Sequence, residues 1–144
     1  MTAGPSRFVL DSFALLALFQ AEHGAEQVRD LLQRARREEA TLAMAVVNLG
    51  EVVYRTIRTR GERRAQDVLV GIEDFSIEFV DIDRELALSA ARLKGVFRIS
   101  YADCIAAALA MRLDATLVTG DPDFRLLEDR VAVEWLTSDE TPVQ

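Results

Sequence analysis

Residues 115–124 read ATLVTGDPDF. A short β-type run, Ala-Thr-Leu-Val, stops at Thr119-Gly120, and two acids follow at once, Asp121 before Pro122 and Asp123 after it. The same arrangement stands near the start of the chain, where residues 7–10 (RFVL) form a β-type run closed by Asp11-Ser12. Between these two places helical spacing alternates with short β-type runs. Helices are predicted over 13–20, 25–39, 46–60, 62–73, 84–97 and 100–113, and further strands at 41–43, 76–81 and 131–135. Strands separated by helices indicate an α/β fold, a parallel sheet covered by helices on both faces. In such sheets ligands bind beyond the carboxyl ends of the strands, near the point where strand order reverses. Asp11 and Asp121 are therefore expected on one edge of the sheet.

At 144 residues a single domain over 1–144 is expected, with 1–6 and 137–144 frayed. Such a chain can remove about 70% of its unfolded surface from water. Half of the residues are hydrophobic and 28% are charged, which excludes a disordered chain. Cys104 is the only cysteine, so an internal disulfide and a cysteine-based metal cluster are excluded. A lone thiol also fits a reducing compartment. No apolar run approaches the roughly 18 residues that span a bilayer, and MTAGPSR lacks a basic segment followed by an apolar core. A soluble cytoplasmic protein without a membrane partner is the expectation.

The net charge of −7 argues against general affinity for nucleic acid. The positive charge is nevertheless uneven: Lys94 is the only lysine, and Arg55, Arg58, Arg60, Arg63 and Arg64 are clustered. An acidic average with a local arginine cluster suits an anionic substrate held beside a carboxylate-rich site. A solvated helix face is the plainer reading of the same run.

Each acid has a local explanation. Asp11 can cap the helix at 13–20, and Asp121 can cap a turn with Pro122 at its first position. Ser100 and Asp103 have the spacing of a capping box, and Glu51 can pair with Arg55 one turn later. Their surroundings demand more. Asp103 lies in SYADCIAAALA, a helix apolar enough to be largely buried, and an ionised carboxylate there needs a compensating charge. Glu51 lies among Val46, Val47, Leu49, Val52 and Val53, and Asn48, Glu51, Arg55 and Arg58 make a polar stripe along that helix. Several acids gathered without a cation raise one another's pKa values. Oxygen ligands of this kind suit a hard divalent ion, Mg²⁺ with Mn²⁺ as a substitute. Such an ion lowers the pKa of a bound water, which can attack a phosphodiester. On this basis Asp11, Asp103 and Asp121 are the expected metal ligands, with Glu51 as a further ligand or water-positioning base. Thr119 is expected to orient a carboxylate or a metal-bound water, and Arg55 and Arg58 to contact phosphate.

The ordered set FVLD-SFALLALF, NLGEVVYR, SYADCIAAALA and LVTGDPDF resembles the PIN-domain family, most of all the VapC-type toxins of toxin–antitoxin pairs. The family pattern falls on Asp11, Glu51, Asp103 and Asp121, the last in a Thr-x-Asp turn followed by Phe124, with Asp123 as an assisting acid and metal ligand. The resemblance implies a three-layer fold whose central parallel sheet has about five strands in the order 3-2-1-4-5. It also implies a Mg²⁺-dependent endoribonuclease acting on structured RNA, a VapB-like antitoxin whose C-terminal segment lies over the site, and a homodimer. A PIN nuclease of RNA maturation or decay, or a partner-binding PIN module that cuts nothing, shares the same residues.

Two phosphotransferase patterns fail. A haloacid-dehalogenase site needs a second Asp two residues after the first, where Phe13 stands, and a response regulator needs an acidic pair and a late strand-end lysine. His23 has no second histidine or nearby cysteine and reads as an exposed loop residue. Cys104 reads as a small buried hydrophobe. Phe13, Leu15, Leu16, Leu18 and Phe19 exceed one buried face and are either core or a groove for a partner helix.

Overall fold

The computed structural model describes residues 4–137. Its elements run β1 (Ser6–Leu10), α1 (Ser12–Phe19), α2 (Ala25–Arg36), β2 (Ala40–Ala45), α3 (Val46–Arg60), α4 (Glu62–Glu73), β3 (Ile77–Val80), α5 (Arg84–Val96), α6 (Tyr101–Leu113), β4 (Thr116–Thr119), a 3₁₀ turn (Pro122–Leu127) and β5 (Val133–Trp135). The five strands form one sheet in the order β3-β2-β1-β4-β5, and every pairing is parallel. This is the α/β architecture and strand order expected from the sequence.

Alternation along the strands divides the core into two layers. Val9, Ala43 and Leu117 pack with α5 and α6, whereas Phe8, Leu10, Leu42, Met44 and Val118 pack with α1, α2 and α4. Both faces are apolar, so these strands read as near-continuous hydrophobic runs, as parallel strands between helices do. Helix α6 is the central support: Asp103 to Ala110 are all buried, and its alanines let the helix lie close to the sheet. No helix among the described residues is long and apolar enough to cross a membrane.

The chain turns to β2 from central β1 on one side and reaches β4 on the other, which places the topological switch between β1 and β4. Leu10 pairs with Val118, so the residues that follow them leave the sheet side by side. Asp11 N–H donates to the Val118 carbonyl at 3.4 Å, prolonging the ladder by one residue into the site.

Some boundaries differ from the sequence reading. The helix expected over 25–39 ends at Arg36, because Glu38 takes a left-handed conformation (φ 62°) and Glu39 N–H closes on the Arg34 carbonyl. The strand expected at 131–135 contracts to Val133–Trp135. Fraying does not reach Ser6, which pairs with Ala40, or Thr137, whose N–H donates to Gln27 Oε1 at 3.0 Å. Residues 1–3 and 138–144 of the expected frayed ends lie outside the described residues.

Gly120 is required by packing. A Cβ there would run into the ring of Phe13, with Cζ 2.7 Å away. Phe13 is in the first turn of the helix that Asp11 caps, so crowding at Gly120 pushes directly on the floor of the site. Gly120→Ala is expected to cost roughly 1–3 kcal/mol, the usual penalty of overpacking, read as a lower urea midpoint with unchanged slope.

Candidate active site

Five acids meet at the carboxyl edge of the sheet: Asp11 and Asp121 as caps, Asp103 and Asp123 in first turns, and Glu51 from within a helix. Asp11 is the N-cap of α1, accepting from Ala14 N–H at 3.1 Å. Asp103 is in the first turn of α6, where Ser100 Oγ accepts from its N–H at 3.2 Å. Asp121 caps the 3₁₀ turn, accepting from Asp123 N–H at 2.9 Å, with Pro122 first in the turn. Glu51 comes from the second turn of α3. All five line one open cleft of about 630 Å³, joined by Ser12, Ser100, Tyr54 and Arg55. The local capping roles are thus real, and they coexist with convergence on a common space. Asp11 and Asp103 stand at the N-terminal ends of two helices, where the helix dipole favours negative charge.

The acids do not play equal geometric parts. Oxygens of Asp103, Asp121 and Asp123 lie within 4.8 Å of one another. Asp11 forms the floor, and both its oxygens are engaged, Oδ1 by Ala14 and Oδ2 by the Thr119 hydroxyl at 2.5 Å. Thr119 Oγ1 in turn accepts from Asp121 N–H at 3.0 Å. One buried hydroxyl therefore ties the two acids of adjacent strands together. Glu51 accepts from Asn48 Nδ2 at 3.2 Å, and Arg55 approaches its other oxygen at 3.6 Å. Asn48 Nδ2 also reaches the Ala102 carbonyl at 3.4 Å, bracing α3 against the start of α6. Asn48 Oδ1 is buried without a partner among the described residues.

Burial sets the electrostatics. Asp11 is pushed up from 3.8 to about 8, first by its removal from water. The bonds from Thr119 and Ala14 pull it down, while the charges of Asp103 and Asp121 add to the rise. Asp103 is pushed up to about 6, again by burial first, opposed by the Ser100 hydroxyl and reinforced by Asp121, Glu51 and Asp123. The Arg55 guanidinium is held above its ordinary range, chiefly by Tyr54 and then, against burial, by Glu51 and Asp103. Arg55 to Glu51 is the one ion pair in this cleft among the described residues. The set of Asp103, Asp121 and Asp123 thus has an excess of negative charge and only hard oxygen donors, the chemistry that a divalent ion fits.

Residues 8–129 match the model of the PIN domain. The chain belongs to the PIN-domain family. Solved structures similar to this PIN domain include VapBC2 from Rickettsia felis bound to a DNA fragment from its promoter, 19% identical, with a TM-score of 0.67 over 89% of this chain and 97% of that one. DNA-bound VapBC from Salmonella typhimurium is 16% identical, with a TM-score of 0.67 over 91% and 98%. VapC20 from Mycobacterium tuberculosis, described as a sarcin-ricin loop cleaving toxin, is 15% identical, with a TM-score of 0.67 over 83% and 93%. No curated protein sequence matches this chain significantly.

Arg55 reaches the acid cleft of the PIN domain, whereas Arg58 lines the adjoining groove one turn further along α3. Arg60 and Arg63 are exposed, and Arg64 donates to the Phe19 carbonyl at 3.1 Å. Leu15 is core, while Phe13, Leu16, Leu18 and Phe19 are half-buried at its margin. His23 is exposed and Cys104 is a buried free thiol. Tyr54 and Ser12 escaped the sequence reading. Tyr54 stands in the spacing Glu51, Tyr54, Arg55, Arg58, which is one face of a helix and was a legible signal. Ser12 has no such signal; it lines the cleft only because it follows the capping Asp11.

Proposed function

We propose that this PIN domain is a metal-dependent endoribonuclease, the toxin of a toxin–antitoxin pair, working as a homodimer with a VapB-like antitoxin as its partner. The observation that carries the reading is the meeting of Asp103, Asp121 and Asp123, with no ion-paired cation among the described residues, above a buried Asp11. Likeness to the VapBC assemblies supports the antitoxin, and likeness to the toxin described as cleaving the sarcin-ricin loop supports RNA. Asp103, Asp121 and Asp123, with Asp11 behind them, would hold Mg²⁺ or, in its place, Mn²⁺. When bound, the ion supplies an acidified water and neutralises charge on the phosphodiester.

The protein's own residues supply the rest. Glu51, fixed by Asn48 and Arg55, orients a water and accepts its proton. Thr119 keeps Asp11 and Asp121 at a set separation, so that neither strand end can drift. Arg55 contacts a non-bridging phosphate oxygen from the rim of the cleft.

The test is cleavage of total cellular RNA by the purified chain with Mg²⁺, with Mn²⁺ and with EDTA, followed by mapping of the new ends. Discrete cuts that need the metal and vanish in Asp121→Asn are expected. Intact RNA under every metal condition would overturn the ribonuclease reading.

A further inference from the structure

Beside the acid cleft runs a second groove of about 440 Å³, within the range of small-ligand pockets, about 300–1,000 Å³. Its walls are Phe13, Leu16 and Ala17 of α1 and Tyr54, Arg58 and Thr59 of α3. Phe13, Tyr54 and Arg55 line both spaces, so the groove is continuous with the cleft. Tyr54 is 41% exposed, a large aromatic left in water at the rim of the cleft, whereas Asp11, Glu51 and Asp103 are buried. The Arg58 guanidinium stands 4.9 Å from the centre of its ring.

The pairing of an open aromatic ring with exposed guanidiniums is the chemistry that single-stranded nucleic acid uses. Bases stack on tyrosine or on an arginine plane, while arginine also holds phosphate. We infer that this groove is a nucleotide subsite, in which Tyr54 and Arg58 stack a base of a single-stranded RNA segment and Arg55 and Arg58 hold its phosphates. The inference rests on the ribonuclease reading and names the part of the substrate that reading leaves unplaced. The base enters on the open surface of the ring or extends the stack over the guanidinium. Either way it positions a neighbouring phosphate toward Asp103 and Asp121 along the continuous wall. Glu22 is the one acid on the groove's lining. A segment bearing a positive side chain would meet two guanidiniums here, whereas the RNA backbone complements them.

The tyrosine–arginine contact has a modest structural value of its own, about 0.5–1 kcal/mol at an exposed site. Binding and stability therefore separate the two roles. Short labelled single-stranded RNA is titrated by fluorescence anisotropy into Asp103→Asn protein, which does not turn over, with and without a change at Tyr54. Tyr54→Ala is expected to weaken binding roughly 5- to 150-fold, and Tyr54→Phe to keep it. On a ribose-phosphate chain without bases, Tyr54→Ala and its parent should bind alike. Arg58→Gln should lower the slope of log affinity against log salt by about 0.7, one phosphate contact on a single strand. Unchanged RNA binding in Tyr54→Ala, or an equal loss on the base-free chain, overturns the subsite. If native protein cleaves RNA and Tyr54 has no effect on binding, the subsite alone fails. If it cleaves nothing while binding depends on Tyr54, the ribonuclease reading fails and the subsite stands.

Discussion

Asp11→Asn is expected to abolish RNA cleavage and at the same time to raise the melting temperature of the metal-free protein at pH 8. The two effects share one cause. Asp11 is buried beneath the other acids, and burial lifts its carboxyl to about 8. Ionising it there costs free energy that the unfolded chain, whose Asp titrates near 3.8, does not spend. Each pH unit between the two values is worth up to about 1.4 kcal/mol. Asparagine has the same shape without the charge. Its Oδ1 keeps the bond from Ala14 N–H, while its amide meets Thr119 Oγ1, whose own proton loses its acceptor. That loss returns about 1–3 kcal/mol of the gain. A net rise of about 2–10 °C is expected for a chain of this size. Asp11→Ala separates the contributions, because it removes the charge and also the helix cap, worth about 1 kcal/mol. It should melt below Asp11→Asn. Catalysis should fall in both by at least about 100-fold, since the carboxylate behind the metal ligands is gone. Differential scanning fluorimetry at pH 8 with EDTA, beside a cleavage assay, reads both quantities. A lower melting temperature for Asp11→Asn would contradict a strained buried charge.

Much of this site was legible in the sequence because local rules and global topology agree there. The parallel order follows from strands that alternate with helices, and both strand-end acids follow from one rule about where such sheets bind ligands. Helices α3 and α4 have the predicted bounds because Gly61 separates two clear apolar periodicities. Helix α2 does not, since nothing in the polar run Arg36 to Glu39 marks where the left-handed turn at Glu38 will fall. Spacing also placed Asp103 and Glu51 on buried helices, but it could not rank the acids. Whether an oxygen meets its neighbour depends on turn direction, and the Asp121 cap turns Asp123 back toward Asp103. The same holds for Thr119. Its type and place were suggestive, but the bond linking β1 to β4 exists only once the two strands are adjacent.

Magnesium or manganese is expected to oppose the metal-free pH dependence of stability. Without metal, native Asp11 keeps its proton to about pH 8 and native Asp103 to about pH 6, whereas both are ionised above about pH 4 in the unfolded chain. The native state therefore binds more protons than the unfolded state across this window. Stability contributed by these groups is complete below about pH 4 and falls as pH rises to about 8, after which it levels off. A divalent ion binds the ionised acids, so protons compete with it. Its effect should be small at pH 5 and grow toward pH 8, opposite in sign to the metal-free trend. At a metal concentration 100 times its dissociation constant, the gain is about 2.7 kcal/mol. Asp103→Asn removes one member of the close group of oxygens and should lose most of that gain, while the exposed Glu62→Gln, on α4 outside the cleft, should keep it. Thermal melts from pH 5 to pH 8, with EDTA and with each metal, make the comparison. Curves that remain parallel with and without metal would mean that the ion does not engage the buried acids. A metal shift equal in Asp103→Asn would mean that it binds elsewhere.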